Sequence, residues 1–522
     1  MRGDGNPRAR HTMPESPGKG RSLLERLTVA ATLICILTFF GIRLCLIFNR
    51  TFNQDEFQYL HHGWMIGQGY VPYRDFWNNH TPLLWLALAP FAIVFDEHPA
   101  YLFAGRILIL LVAVGVGVMV YRLTRLFCSV YGALFSIFLL SIEFYTLDKG
   151  IEVRPDQVMV LTWLIAAWIL IRSRSRMTMR GVAPAGLILG VGLLFTPKAS
   201  FAIFSLGAGL LALAILPGRE APISRPQILK ALGAMGAMSL VPLLVTTLAL
   251  LPVGAAGPLF EQALIGNVGF KRASGLALTF FKASVILTPV FWACAAVGLF
   301  LIVRRVIRPQ SGQDRRALVI ILASIAGAGI AYFTLIPAPY KQSLLPLLIL
   351  VAPAGGTVGD RLFDSLGRRH RPALRWAAGL AFVVIFLLGA GRAFAGMSVS
   401  LHPLTPTNAE QIERMRYVLK LTSKTDSVLD GLAAYIFRPQ GSFYASLVDE
   451  LLHRFRTGTP SYDIPERCRT GGCRVAILDF RMRQMPREVL QFIHDHYSPT
   501  AMKDVLVRRQ AENSLDAGRR VM

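Results

Sequence analysis

Carboxylates are scarce in this chain, with 31 Asp and Glu against 55 Lys and Arg, and the formal charge at neutral pH is +24. Cysteine is scarcer still: 6 in 522 residues exclude a disulfide-stapled secreted scaffold. Only Cys468 and Cys473, in CRTGGC, lie close together outside the apolar runs. Two thiols with no nearby ligand pair argue against zinc, and the intervening glycines leave a disulfide or two free thiols equally open. No internal repeat occurs at a fixed period. The chain keeps its extended polar sequence to its two ends. Its composition is 53% hydrophobic with a mean hydropathy of +0.47, too apolar for a soluble protein of this length. In a soluble protein the positive charge would suggest a nucleic-acid partner. Here the basic residues fall in short stretches between apolar runs, which is the signature of membrane topology and not of a nucleic-acid footprint.

Runs long enough to cross about 30 Å of hydrocarbon occur near 27 to 48, 100 to 121, 131 to 147, 154 to 171, 182 to 196, 200 to 216, 231 to 252, 283 to 303, 317 to 336, 343 to 358 and 374 to 394. That is about eleven spans. Those at 182 to 196 and 343 to 358 are short enough to be tilted, broken or re-entrant. Residues 1–24 are polar, basic and rich in Pro and Gly, and read as a disordered cytoplasmic tail. The first apolar run is longer than a signal-peptide core and lacks a small-x-small cleavage site, so it is a retained span. With the amino terminus cytoplasmic, basic clusters at 122–125, 172–180, 219–230, 304–316 and 361–375 all fall inside. The expected fold class is an all-α polytopic membrane bundle over 25–395, with amphipathic helices at 54–67 and 81–95 in a first external loop, 49–99. A small external α/β domain follows over 396–522. In it the patterning predicts a helix at 409–422, a strand and turn at SVLDGL, a helix at 443–455, a strand at CRVAILDF and a helix at 487–496. The expected location is the cell inner membrane, with this domain periplasmic.

The densest chemistry lies in NQDEFQYLHHGWMIGQGYVPYRDFWNNHTPLLW, residues 53–85. Asn53 with Glu56 three positions on has the spacing of a capping box, which places Asp55 and Glu56 in a first helical turn. The helix dipole and free backbone donors there hold a carboxylate ionised, as a general base acting on a hydroxyl requires. The bland alternative is a capped surface helix with an interfacial aromatic belt. Against it stands density: acids, aromatics, His61, His62, His80, Asp75 and Asn78-Asn79 within thirty residues form a sugar-binding vocabulary, with Tyr59, His62, Tyr73 and Asp75 as candidate substrate contacts.

One span followed by an external Asp-Glu, a Tyr, a Gly-x-x-Pro-Tyr-x-Asp-Phe element and a Pro-Leu amphipathic segment resembles the GT-C glycosyltransferases. It is similar in particular to bacterial relatives of the protein O-mannosyltransferases and to the aminoarabinose transferases that modify lipid A. The resemblance implies a hexosyl- or pentosyltransferase that takes a sugar from a polyprenyl-phosphate donor on the external face, passes it to a lipid, glycan or protein acceptor, and is inverting. It implies Asp55 as catalytic or acceptor-binding acid with Glu56 its partner. It also sets Arg154 and Asp156, in IEVRPDQ, against an Arg-x-Asp-like element of the second external loop. A structural ion pair is the equal alternative for those two.

A lipid-phosphate donor needs external cations, which this topology depletes. The few present are Lys198 in FTPKAS, Lys341 in PAPYKQ, and Lys271-Arg272; Lys198, Lys341 and Arg272 are the candidate phosphate ligands, against a bland reading of interfacial snorkelling. No cofactor is required; a divalent cation at Asp55 with His62 or His80 stays open, although no recognised ligand spacing is present. The rival class is a lipid or sugar transporter or flippase, which predicts pseudo-symmetric halves and ionisable residues within spans. Neither is evident in the sequence.

Overall fold

The computed structural model describes residues 23–173, 179–215, 225–265, 275–308, 315–367, 371–444, 447, 451–452, 455 and 464–509. Hydrocarbon offers no partner to a backbone amide, so apolar runs of this length become helices that satisfy their own hydrogen bonds. The helices are α1 Leu23–Asn49, α2 Gln54–Gly67, α3 Leu83–Phe95, α4 Ala100–Thr124, α5 Val130–Ile142, α6 Phe144–Asp148, α7 Asp156–Arg172, α8 Met179–Phe195, α9 Ser200–Ile215, α10 Arg225–Leu250, α11 Ala256–Leu259, α12 Leu276–Leu287, α13 Pro289–Ile307, α14 Arg315–Ile330, α15 Leu345–Gly367, α16 Pro372–Ile385 and α17 Gly391–Ser400. Among the described residues eight helices are long and apolar enough to cross a membrane, making this a multi-pass membrane protein. Three of the expected spans, at 131 to 147, 154 to 171 and 182 to 196, correspond to the shorter α5, α7 and α8, of 13, 17 and 17 residues.

The expected short span at 343 to 358 is the central pillar of the bundle. With the 3-10 turn Lys341–Leu344 it forms a continuous helical segment to Gly367 and packs against α4, α5, α7, α13, α14 and α16. Its length is hidden in the sequence because the run turns polar at GDRLFDS. Inside a ring of neighbours, Asp360 need not face lipid: it accepts a hydrogen bond from the Ser129 amide at 2.8 Å. The pillar is approached at backbone distance. A Cβ on Gly298 of α13 would lie 1.9 Å from the Ala354 carbonyl oxygen of α15.

After α17, the helix α18 (Ala409–Leu421) leads into a four-stranded sheet of β1 (Ser427–Leu429), β2 (Cys473–Ile477), β3 (Tyr497–Pro499) and β4 (Val505–Arg508), in the order β1-β2-β4-β3. β1 and β2 are parallel; β4 runs antiparallel to both of its neighbours. Helices Ile464–Thr470 and Arg487–His496 accompany the sheet. The expected helix at 443–455 falls largely outside the described residues. Cys468 and Cys473 are both buried as free thiols.

This sheet region docks on the first loop, so the two lie on the same side of the bundle. The Trp77 amide donates to the Phe443 carbonyl at 2.8 Å. Arg438 pairs with Glu97 at 2.6 Å, and the Phe52 amide donates to Gln411 at 2.8 Å.

Gly298→Val should lower the melting temperature of the purified protein, because overpacking against a fixed backbone costs about 1–3 kcal/mol. Gly117, inside α4 with open space where a Cβ would be, is the control: Gly117→Ala should not lower melting. Equal melting of the two variants would refute close α13–α15 packing.

Candidate active site

The capping box at α2 forms as its spacing predicts. The Asp55 amide donates to Asn53 Oδ1 at 3.0 Å, and Glu56 Oε1 accepts from the Asn53 amide at 2.8 Å. Glu56 then turns inward. Its Oε1 and Oε2 each accept from Arg106 at 2.8 Å, and Oε2 also accepts from the Val153 amide at 3.2 Å. Both side chains are fully buried. Burial works against the Glu56 charge, but the Arg106 guanidinium and the Asn53 amide more than offset it, and the carboxyl titrates below its ordinary range. With both oxygens committed, Glu56 has no face for a substrate. The expected partnership with Asp55 in catalysis is therefore corrected to a structural role.

Arg106 is a residue that sequence reasoning missed. It also donates to the carbonyls of Ile47 (2.9 Å), Arg50 (2.8 Å) and Thr51 (3.1 Å), tying the end of α1 to α2 and α4. Its signal was an Arg inside an apolar run, which corrects the expectation that no ionisable residue lies within a span. Arg43 in α1 is another such residue, donating to the Thr146 carbonyl at 2.9 Å.

Asp55 points the other way and keeps a quarter of its exposure. Its Oδ2 pairs with Arg154 Nη1. Arg154 Nε lies 3.5 Å from Asp156 Oδ2, Lys198 Nζ lies 3.0 Å from Asp156 Oδ1, and Lys198 Nζ lies 3.5 Å from Ser343 Oγ. Residues near 55, 154, 198 and 343 thus meet at the loop end of the bundle. Local chemistry places them: Pro155 and Asp156 open α7, and Thr196 caps the 3-10 turn that carries Lys198. Burial opposes the Asp55 charge, yet Arg154 first, then Arg481 and His80, hold its carboxyl below the ordinary range. Tyr59 is buried with its ring 5.4 Å from that of His80. Burial and the Lys198 charge lower His80 to about 4, so it is neutral at neutral pH.

Beside this chain lies a second. Arg50 pairs with Asp148, and reaches Glu152 at 3.1 Å; Lys149 reaches Glu152 at 2.6 Å. Glu152, the most enclosed of these acids, is raised by burial. Arg50, Lys149 and Lys341 line a cavity of about 710 Å³ whose other walls include Phe144, Phe280 and Leu287. Lys341 Nζ stands 5.8 Å from the centre of the Tyr145 ring, and among the described residues it has no carboxylate partner.

Other expected contacts go elsewhere. His62 is fully buried, 2.8 Å from Asn78 and stacked on Phe76 at 5.1 Å, which makes it packing. Tyr73, also buried, donates its hydroxyl to the His80 carbonyl at 2.8 Å and holds that loop from a left-handed backbone (φ 69°). Asp75 pairs with Arg74 at 2.7 Å and lines a different, outer cavity. Arg272 lies outside the described residues. The divalent cation considered for Asp55 with His62 or His80 has no gathered ligand set among the described residues, since Arg154 occupies Asp55 and Asn78 engages His62.

The second missed residue is Arg481, buried in the C-terminal region just after β2. Asp479 Oδ1 accepts from its amide at 2.8 Å, fixing the turn, and its charge acts on Asp55. Basic residues in FRMR after a buried strand were the only hint in the sequence.

Residues 79–245 match the dolichyl-phosphate-mannose-protein mannosyltransferase family. ArnT from Cupriavidus metallidurans in the apo state superposes with a TM-score of 0.61 at 11% identity, covering 92% of this chain and 97% of that one. The fold is that of the GT-C glycosyltransferases. ArnT bound to undecaprenyl phosphate gives 0.60 at 12% identity over 93% and 98%, and the Archaeoglobus fulgidus oligosaccharyltransferase in its apo form gives 0.51 at 14% over 94% and 75%. Among curated proteins none matches significantly. In this fold the candidate residues sit where α2, α7, the α8–α9 turn and the start of α15 converge with the C-terminal region.

Two expectations follow. Arg106→Ala strands the Glu56 charge in the interior and should cost about 3–5 kcal/mol, whereas the double variant with Glu56→Gln should regain part of that loss; thermal unfolding in detergent measures both. His61, buried and hydrogen-bonded to the Ile436 carbonyl at 3.0 Å, is lowered by burial from 6.5 to about 4. Since the unfolded chain takes the proton first, stability contributed by neutral His61 is complete above about 6.5 and is lost as pH falls towards 4. Wild type should lose about 2 kcal/mol more than His61→Gln between pH 7 and pH 5, and parallel pH curves would contradict a neutral buried His61.

Proposed function

We propose that this chain is an integral-membrane glycosyltransferase that moves a sugar from a polyprenyl-phosphate donor to an acceptor hydroxyl on the external face of the cell inner membrane. The observation that carries the reading is an ionised, partly exposed Asp55 beside a cavity walled by aromatic and aliphatic side chains and edged by Arg50, Lys149 and Lys341. Such a cavity suits a ligand with a charged head and an apolar tail. The GT-C fold and the family match over 79–245 support the class, and so does the lipid phosphate held by ArnT. The basic inner loops support an amino terminus in the cytoplasm and a periplasmic C-terminal domain.

In this reaction the acceptor hydroxyl hydrogen-bonds to Asp55 Oδ1, the oxygen not paired with Arg154. The hydroxyl oxygen attacks the anomeric carbon, the bond from that carbon to the phosphate oxygen breaks, and the configuration inverts. A carboxylate held below its ordinary range is a weak base, so its proton transfer comes late, as the phosphate departs. General-base assistance supplies roughly a hundred- to ten-thousand-fold, and positioning and charge stabilisation supply the remainder. Arg154 is ringed by Asp55, Glu152 and Asp156, which suits it to orient Asp55 and not to receive another anion. Lys198 is likewise held by Asp156. Lys341 is the cation left to take the phosphate charge, with Arg50 and Lys149 beside it.

Purified protein incubated with radiolabelled polyprenyl-phosphate sugars should release label from the lipid. Asp55→Asn should keep membrane insertion and abolish transfer, and Lys341→Ala should slow it by about 10²–10³. Normal turnover in Asp55→Asn removes Asp55 from this role. Absence of release from every donor tested would remove the transferase reading.

A further inference from the structure

The outer cavity that holds Asp75 is separate from the site above. Its volume is about 360 Å³, within the range of small-ligand pockets, and it lies where the end of α2 meets the C-terminal region. Three carboxylates edge it, and each already has its cation: Asp75 with Arg74 (2.7 Å), Asp96 with Lys424 (2.7 Å) and Glu97 with Arg438 (2.6 Å). The rim is therefore charge-balanced. A metal ion or polyamine would have to displace a base from every acid it used. What a balanced rim offers is many alternating donors and acceptors, and the matching ligand is neutral and rich in hydroxyls.

An independent observation points the same way. Trp64 lines this cavity and is 4% exposed, yet among the described residues its indole Nε1 has no hydrogen-bond partner. A buried N–H left unpaired is costly, and a ligand oxygen would satisfy it. Tyr70 adds an aromatic face, and exposed Gln68 adds an amide that both donates and accepts. From these residues we infer a saccharide-binding subsite at Trp64, Gln68 and Tyr70.

Trp64 stands nine positions beyond Asp55 on α2, about 14 Å along the helix axis and on the opposite face, so the subsite is separate from the transfer chemistry. Saccharide binding here does not rest on the transferase reading.

Saturation-transfer NMR on the full-length protein in lipid nanodiscs tests binding without turnover, using maltotriose, mannotriose and cellotriose as neutral probes and spermidine as the cationic control. At least one trisaccharide should receive saturation, and its affinity should fall about tenfold in Tyr70→Ala and in Trp64→Phe, which keeps the ring and loses the N–H. Gln68→Ala changes an exposed side chain and covers the case in which Trp64→Phe fails to fold. Asp55→Asn should bind the trisaccharide as wild type does, which separates this subsite from the transfer chemistry. The inference is overturned if no trisaccharide receives saturation, if spermidine binds equally well, or if Tyr70→Ala and Gln68→Ala leave binding unchanged.

Discussion

The outer half of this molecule depends on the buried pair of Glu56 and Arg106. Such a pair is not in itself strong evidence for stability, since burying two charges costs about what their attraction returns. Its value is geometric. One guanidinium satisfies a carboxylate on α2 and three carbonyls between Ile47 and Thr51, so the exit from α1 and the start of α2 have one arrangement. Successive residues on a helix point about 100° apart. Once Glu56 is fixed inward, Asp55 must face Arg154. The fully enclosed acid thus aims the partly exposed one.

Charge is then balanced locally around the cavity. Asp55 and Asp156 face Arg154 and Lys198, and Asp148 and Glu152 face Arg50 and Lys149. In a chain so short of carboxylates, four are spent within these two clusters. Balanced pairs in a low-dielectric setting hold their geometry without a strong net field, so the position of Lys341, over Tyr145 and without an acid of its own among the described residues, decides where an anion is attracted.

Much of this was legible in advance where the signal is local. The spacing of Asn53 and Glu56 gave the start of α2, the 3.6-residue pattern gave α3 and α18, and the apolar run of CRVAILDF gave β2. Signals carried across the chain were not legible. Nothing beside Glu56 announces Arg106, fifty positions on, or distinguishes it from Asp55 as the structural member of the pair. The polar end of α15 disguised the longest buried helix as a doubtful short one, because burial among neighbouring helices is invisible to a hydropathy window. Tyr73 and His62 looked like sugar contacts by composition, yet a buried aromatic packs and a surface aromatic binds, and composition does not tell them apart. Arg481 was hidden for the same reason, lying in another region of the chain entirely.

That remoteness has a consequence for biogenesis. Asp55 belongs to the first loop to emerge and Arg481 to a segment made more than four hundred residues later, so the site has no complete form on a nascent chain. A ribosome that stalls or a protease that trims the C-terminal region leaves Asp55 without one of its two flanking arginines, so the charge around this acid is complete only when the last segment is in place.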